Sequence, residues 1–235
     1  MTHFEGKSVI QHLKAARLRG ALASSEIHGT EQPGHLAAAC DAAKEVAFIL
    51  ALLVLLFNAP FMPLLIASFS LLIWKVGRSA LLGWARLERL HTLIEQERWE
   101  IEHKREEEEE ELMALYKAKG LSGQLLKDVV AILSSDDNRL LQVMLEEEMG
   151  LTLEVYEHPL KQCVGAGVGV AGSAACILLA LPFGMWAILA TAAFIVLLAS
   201  LIMALSQQNS KLEAMTWSFA LLAFSLGLIY LLALP

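Results

Sequence analysis

Two long apolar blocks, residues 36–82 and 160–235, flank a single stretch that holds most of the chain's acid. This partition constrains the fold more than any motif does. So little polar sequence could not cover apolar runs of that length in water, whereas a bilayer accepts about 20 apolar residues for each helical crossing. Hydrophobic residues make up 56% of the 235, above the roughly 45–50% of a soluble domain, and the mean hydropathy is +0.54. The net charge is −7, and most of the acid lies between Glu88 and Glu157. The expected class is therefore an all-α polytopic membrane protein with one acidic aqueous domain. No basic patch is large enough for nucleic acid, which excludes it as a partner. Cys40, Cys163 and Cys176 form no CxxC and read as small buried hydrophobes. The first thirty-odd residues lack the apolar core of a secretory signal.

The breaks within the apolar blocks count the crossings. Asn58-Ala59-Pro60 and Pro63 divide the first block into helices over about 37–57 and 61–83. Leu181-Pro182-Phe183-Gly184 and the polar run Ser206–Lys211 divide the second into about 160–181, 184–205 and 212–233. Five transmembrane helices follow, and the domains read as a tail over 1–35, helices 1 and 2 over 36–84, an acidic helical domain over 85–159, and helices 3 to 5 over 160–235. The tail holds a basic amphipathic piece, Val9 to Leu22, with Lys14, Arg17 and Arg19, and then the linker HGTEQPG. It is expected to fray and touch anionic headgroups. Lys and Arg occur in the tail, beside the acidic domain and at Lys211, but not in the loops at 58–63 or 181–184. The positive-inside rule then puts the amino terminus and the acidic domain in the cytoplasm and the carboxyl terminus on the opposite side. The small residues GAGVGVAGSAA of the third span permit close helix approach, within one subunit or between two.

The acidic domain opens with a helix expected over 87–116 and continues with shorter helices over about 122–133 and 138–149. Gly120, Ser122 and the Ser134–Asp137 stretch supply stops and caps. Indexed at about 100° per residue, Glu97, Glu100, Glu108 and Glu111 fall within an arc of about 80° on a straight helix. Leu90, Leu93, Ile94, Ile101, Leu112 and Leu115 point to nearly the same side, whereas Glu95, Glu102, Glu106 and Glu109 point away. Carboxylates turned toward a packing surface repel one another unless protons or cations lie between them. Each ExxE pair, Glu97/Glu100 and Glu108/Glu111, has a spacing that can converge on one cation. The third short helix adds Met144 beside Glu146, Glu147 and Glu148, a mix of soft sulfur and hard oxygen that suits Fe²⁺ or Mn²⁺ better than Mg²⁺. Read alone, the run Glu106–Glu110 is a solvated face. Asp41, Lys44 and Glu45 stand near the start of the first span, where they either snorkel to the interface or line an ion path.

The stretch EEELMALYKAKGLSGQLLKDVVAILSSDD…MLEEEMGL…HPLKQ resembles the cytoplasmic domain of the vacuolar iron transporter family. There an acidic helix ending in EL-x-x-[IL]-Y precedes a Gly-Leu turn, two short helices, an E-[LM]-G-L ending and a proline before the third span. Glu111-Leu112, Leu115-Tyr116, Gly120-Leu121, Glu148-Met149-Gly150-Leu151 and Pro159 follow that order. The resemblance covers about 95–160. It implies a dimeric five-span fold and export of Fe²⁺ or Mn²⁺ from the cytosol in exchange for protons. It also implies a metal-binding set made of Glu97, Glu100, Glu108, Glu111, Met144 and one or both of Glu147 and Glu148, and a break of the acidic helix near Lys104 that folds the two ExxE pairs toward each other. The intramembrane acid of the family corresponds to Asp41 or Glu45, one helical turn apart. The second span departs from the family pattern: it keeps Gly77 but carries Lys75 and Arg78. These residues either snorkel to the cytoplasmic surface or mark altered transport.

The expected function is thus a homodimeric transporter whose partners are the lipid bilayer, divalent metal ions and protons, with no organic cofactor. The alternative is a membrane-anchored metal-binding or scaffold protein. Nothing resembles an enzyme's nucleophile triad or phosphate loop.

Overall fold

The computed structural model describes Gln11, Lys14, Arg17, Gly20 and residues 34–151 and 158–233. The chain divides into two compact units. One comprises Met1–Ile27 with Ala85–Tyr156, and the other His28–Trp84 with Glu157–Pro235. Eight α-helices run through the described residues: α1 Gly34–Phe57, α2 Phe61–His103, α3 Arg105–Ala118, α4 Gly123–Leu133, α5 Asp137–Val143, α6 Pro159–Ala180, α7 Met185–Ser206 and α8 Lys211–Ala233.

In the apolar unit, α1 and α2 meet at a tight hairpin. Asn58 takes a left-handed backbone conformation there, φ 45°, which a short polar side chain tolerates. Four helices are long and apolar enough to cross a membrane: α2, α6 with the 3₁₀ turn after it, α7 and α8. The expected first crossing, α1, stands apart from these because it carries Asp41, Lys44 and Glu45. It is instead enclosed by neighbours, packing against α6, α7 and α8 and burying Ala37, Val46, Ala47, Leu50 and Ala51 completely. By contrast, the spanning windows of α2 and α8 are only 11% buried.

The small-residue stripe of α6 makes its contact within the subunit, against α1. A Cβ added at Gly165 or Gly169 would collide with the carbonyl oxygens of His35 and Ala39. One turn further on, Ser173 Oγ donates to the Ala43 carbonyl at 3.0 Å. Positions 35, 39 and 43 thus advance with 165, 169 and 173, so the two helices are parallel and their backbones nearly touch.

In the acidic unit, one apolar core gathers Leu90, Leu93, Ile101, Leu112, Leu140 and Leu145. The expected single helix over 87–116 is broken at Lys104, whose backbone (φ −138°, ψ 38°) leaves the helical region. The break has a visible anchor. Arg105, the first residue of α3, reaches Asp137 and the Ser134 carbonyl, fixing α3 to the connection between α4 and α5. The expected stops hold: Gly120 takes φ +100°, and Asp136 caps α5 by accepting from Arg139 N–H at 2.9 Å. Met144–Glu148 form a π-helical turn that continues α5. Gln11, Lys14, Arg17 and Gly20 are helical. Arg17 donates to the Glu147 carbonyl at 3.3 Å, and Gly20 lies so close to Met149 that no Cβ would fit. At these positions the tail is docked rather than frayed. The rest of the expected amphipathic piece, including Arg19, and linker residues 28–33 lie outside the described residues.

Candidate metal site

The polar side chains that matter most in the acidic unit are those its core buries. Glu97, Glu108, Glu111 and Glu148 are exposed by only 3%, 1%, 0% and 2%. Each sits where helical periodicity sets it among apolar side chains. Glu97 follows Leu93 by one turn and precedes Ile101 by one. Glu108 and Glu111 share a face of α3 with Leu112 and Leu115, and Glu148 ends the π-helical turn. Glu100 is half-buried, while Glu95, Glu102, Glu106 and Glu110 are exposed. Glu109 turns to Arg105 at 3.7 Å.

The break at Lys104 makes one cluster of the two pairs. On a straight helix Glu97 and Glu108 would stand about 16 Å apart along the axis. Here Glu108 feels the charges of Glu97, Glu111, Glu148 and Glu100 together. Burial is the larger influence on it, and these four carboxylates add to it, so the Glu108 carboxyl is pushed up to about 10 and is protonated at neutral pH. Among the described residues, no three His, Cys, Asp or Glu side chains are already arranged to hold an ion.

The structure separates the residues that the third short helix offered. Glu148 turns inward, whereas Glu147 pairs with Lys119 at the surface and exposed Glu146 accepts from Gln142 at 3.1 Å. Met144 is fully buried, four residues before Glu148 in the same π-helical turn. Such turns are rare and frequent at functional sites. Sequence periodicity put Glu97, Glu100, Glu108 and Glu111 on the apolar face, and Glu97, Glu108 and Glu111 are buried there. It could not choose between Glu147 and Glu148, because the π-helical turn shifts the register, and it gave no signal for Arg105 as the clamp on the break.

The remaining candidates, Asp41 and Glu45, lie in the apolar unit on α1. Lys75 of α2 pairs with Glu45. A small cavity of about 30 Å³ beside them is lined by Asp41, Lys75, Arg78 and Ser79. Lys75 is therefore engaged with the acid on α1 and does not reach away from it.

The model of the VIT family matches residues 84–233, the stretch that holds the acidic helices, the π-helical ending and the apolar helices after Pro159. The chain belongs to the VIT family. The match confirms the resemblance to vacuolar iron transporters and extends it beyond the acidic unit through α6, α7 and α8. It leaves α1 and most of α2 outside, including Asp41, Glu45, Lys75 and Arg78. No curated protein and no solved structure matches the chain. VIT proteins are membrane metal transporters rather than enzymes, and the four apolar helices agree with a multi-pass integral membrane protein.

Proposed function

We propose that this VIT-family protein exports Fe²⁺ or Mn²⁺ from the cytosol in exchange for protons. In this reading Glu97, Glu100, Glu108, Glu111 and Glu148 collect the ion, with Met144 as a thioether ligand. Asp41 and Glu45 on α1 carry it through the membrane. α1 serves as a fifth crossing despite its charges, because its neighbours enclose it. The amino terminus and the acidic unit face the cytoplasm, the carboxyl terminus lies opposite, and two copies form a dimer.

The observation that carries the proposal is the burial of four glutamates in one cluster beside a buried methionine. Carboxylates enclosed in this way need a proton, a cation or hydrogen-bonded partners to be tolerated. A divalent ion entering the cluster must displace the proton held on Glu108, so binding and proton release are one event. Oxygen ligands with one thioether favour Fe²⁺ and Mn²⁺ over Mg²⁺.

The test uses the full-length protein. Mn²⁺ titrated into detergent-solubilised protein should bind and acidify an unbuffered solution. Changing Glu97, Glu100, Glu108 and Glu111 together to Gln should abolish both effects. In proteoliposomes with a pH gradient, Mn²⁺ flux should follow the gradient. Unchanged Mn²⁺ affinity in the fourfold variant would refute the collecting role, and flux indifferent to the gradient would refute exchange for protons.

A further inference from the structure

The apolar unit contains a charge arrangement that metal transport alone does not call for. Measured along the helices from their hairpin, at about 1.5 Å per residue, Glu45 stands about 18 Å up α1 and Lys75 about 21 Å up α2. Asp41 and Arg78 stand one step further, at about 24 and 26 Å. The two acids of one helix thus lie level with the two cations of the other, inside a hydrocarbon layer about 30 Å thick. Lys75 is 11% exposed in its pair with Glu45, and Asp41, Lys75 and Arg78 all line the same small cavity. These four formal charges balance one another, and Lys44, between the two acids on α1, adds one more positive charge at the same level. A carboxylate at this depth would otherwise need a proton or a metal ion to be tolerated.

We propose that Lys75 is a tethered counter-cation for the Asp41/Glu45 site: its ammonium neutralises Glu45 when no metal is there, and an entering divalent cation must displace it. This deepens the transport reading, on which it rests. Without movement of Lys75, a divalent ion would add two positive charges to a group whose acids are already balanced by cations, a strongly unfavourable state in a low-dielectric layer. With movement, the four-carbon stem lets the ammonium retreat about one helical turn toward the aqueous edge while its methylenes stay in apolar surroundings. Lys75 therefore competes with the transported ion. It sets the metal concentration at which the path opens, and it disfavours monovalent ions, which carry no more charge than the ammonium they would replace.

The competition can be read on the intact protein. Lys75 in the full-length wild type is labelled with a small amine-reactive reagent, and the peptide is quantified by mass spectrometry with and without Mn²⁺. Labelling should rise with Mn²⁺. Glu45→Gln should raise it without Mn²⁺ and remove the Mn²⁺ effect. In proteoliposomes Lys75→Gln should lower the KM for Mn²⁺ several-fold. Lys75 labelling indifferent to Mn²⁺ in protein that demonstrably transports Mn²⁺ would overturn the proposal. So would an unchanged KM in Lys75→Gln, while leaving the transport reading intact. Flux in Lys75→Gln but not in the wild type would support the counter-cation and overturn transport by the wild-type chain. Absence of flux in both would overturn both readings.

Discussion

Glu108 shows how one side chain links folding to function. Its carboxyl titrates near 4.5 in an unfolded chain and at about 10 in the folded one. Between those values the folded chain holds a proton that the unfolded chain has lost. The stability this contributes is fully present below about pH 4.5 and disappears as pH rises through about 10. The metal-free protein should therefore lose stability between pH 6 and pH 9, on the order of 1 kcal/mol per pH unit. Thermal melts in the presence of a chelator would measure this, and Glu108→Gln should flatten the slope. Saturating Mn²⁺ should flatten it too, since a bound cation replaces the proton. Glu148 and Glu147 give a second contrast at this scale. Glu148→Gln should weaken Mn²⁺ binding about tenfold or more, because it removes one charge from the ligand set. Glu147→Gln should leave binding within about twofold, because Glu147 is occupied with Lys119 at the surface. Periodicity exposed the first four glutamates, because 3.6 residues per turn fixes which side chains share a face. It did not distinguish Glu147 from Glu148, because the choice depends on a local change of helical winding that no residue type dictates.

At the scale of elements, the break at Lys104 and the stripe on α6 are the two features that position everything else. Arg105 holds the break through Asp137 and the Ser134 carbonyl. Arg105→Ala should let α2 and α3 approach a continuous helix, drawing Glu97 and Glu108 apart. Mn²⁺ affinity should fall at least tenfold while the helical content measured by circular dichroism holds or rises. An unchanged affinity would show that the core alone fixes the bend. On α6, Gly169→Val should push α6 off Ala39, costing about 1–3 kcal/mol as overpacking does and lowering the denaturation temperature in detergent. The stripe was readable as a close-packing surface, but its partner was not. Small residues declare that a backbone may approach, and they say nothing about which backbone arrives.

At the scale of the whole molecule, the apolar blocks and their breaks marked five crossings, four of which are helices long and apolar enough for a membrane, and the family match supports the membrane class. The first helix resists this kind of reading because it is judged by its own charges. Its suitability for the apolar unit comes from α6, α7 and α8, which cover it, and from Lys75, which neutralises Glu45. Those are properties of distant sequence.

The parallel contact between α1 and α6 also sets a timetable for biosynthesis. Ser173 and Ala43 are 130 residues apart. At about 5–20 residues per second, the ribosome needs roughly 6–26 s to make the second helix after the first has emerged. Throughout that interval α1 has its three charges and lacks its closest neighbour, so it must wait in the insertion machinery or under a chaperone. A chain stopped after residue 157 should accordingly leave α1 open to protease or subject to rapid degradation in cells, and a chain extended through α6 should protect it. Pulse-chase labelling of the two truncations would show whether the first helix made is among the last to settle.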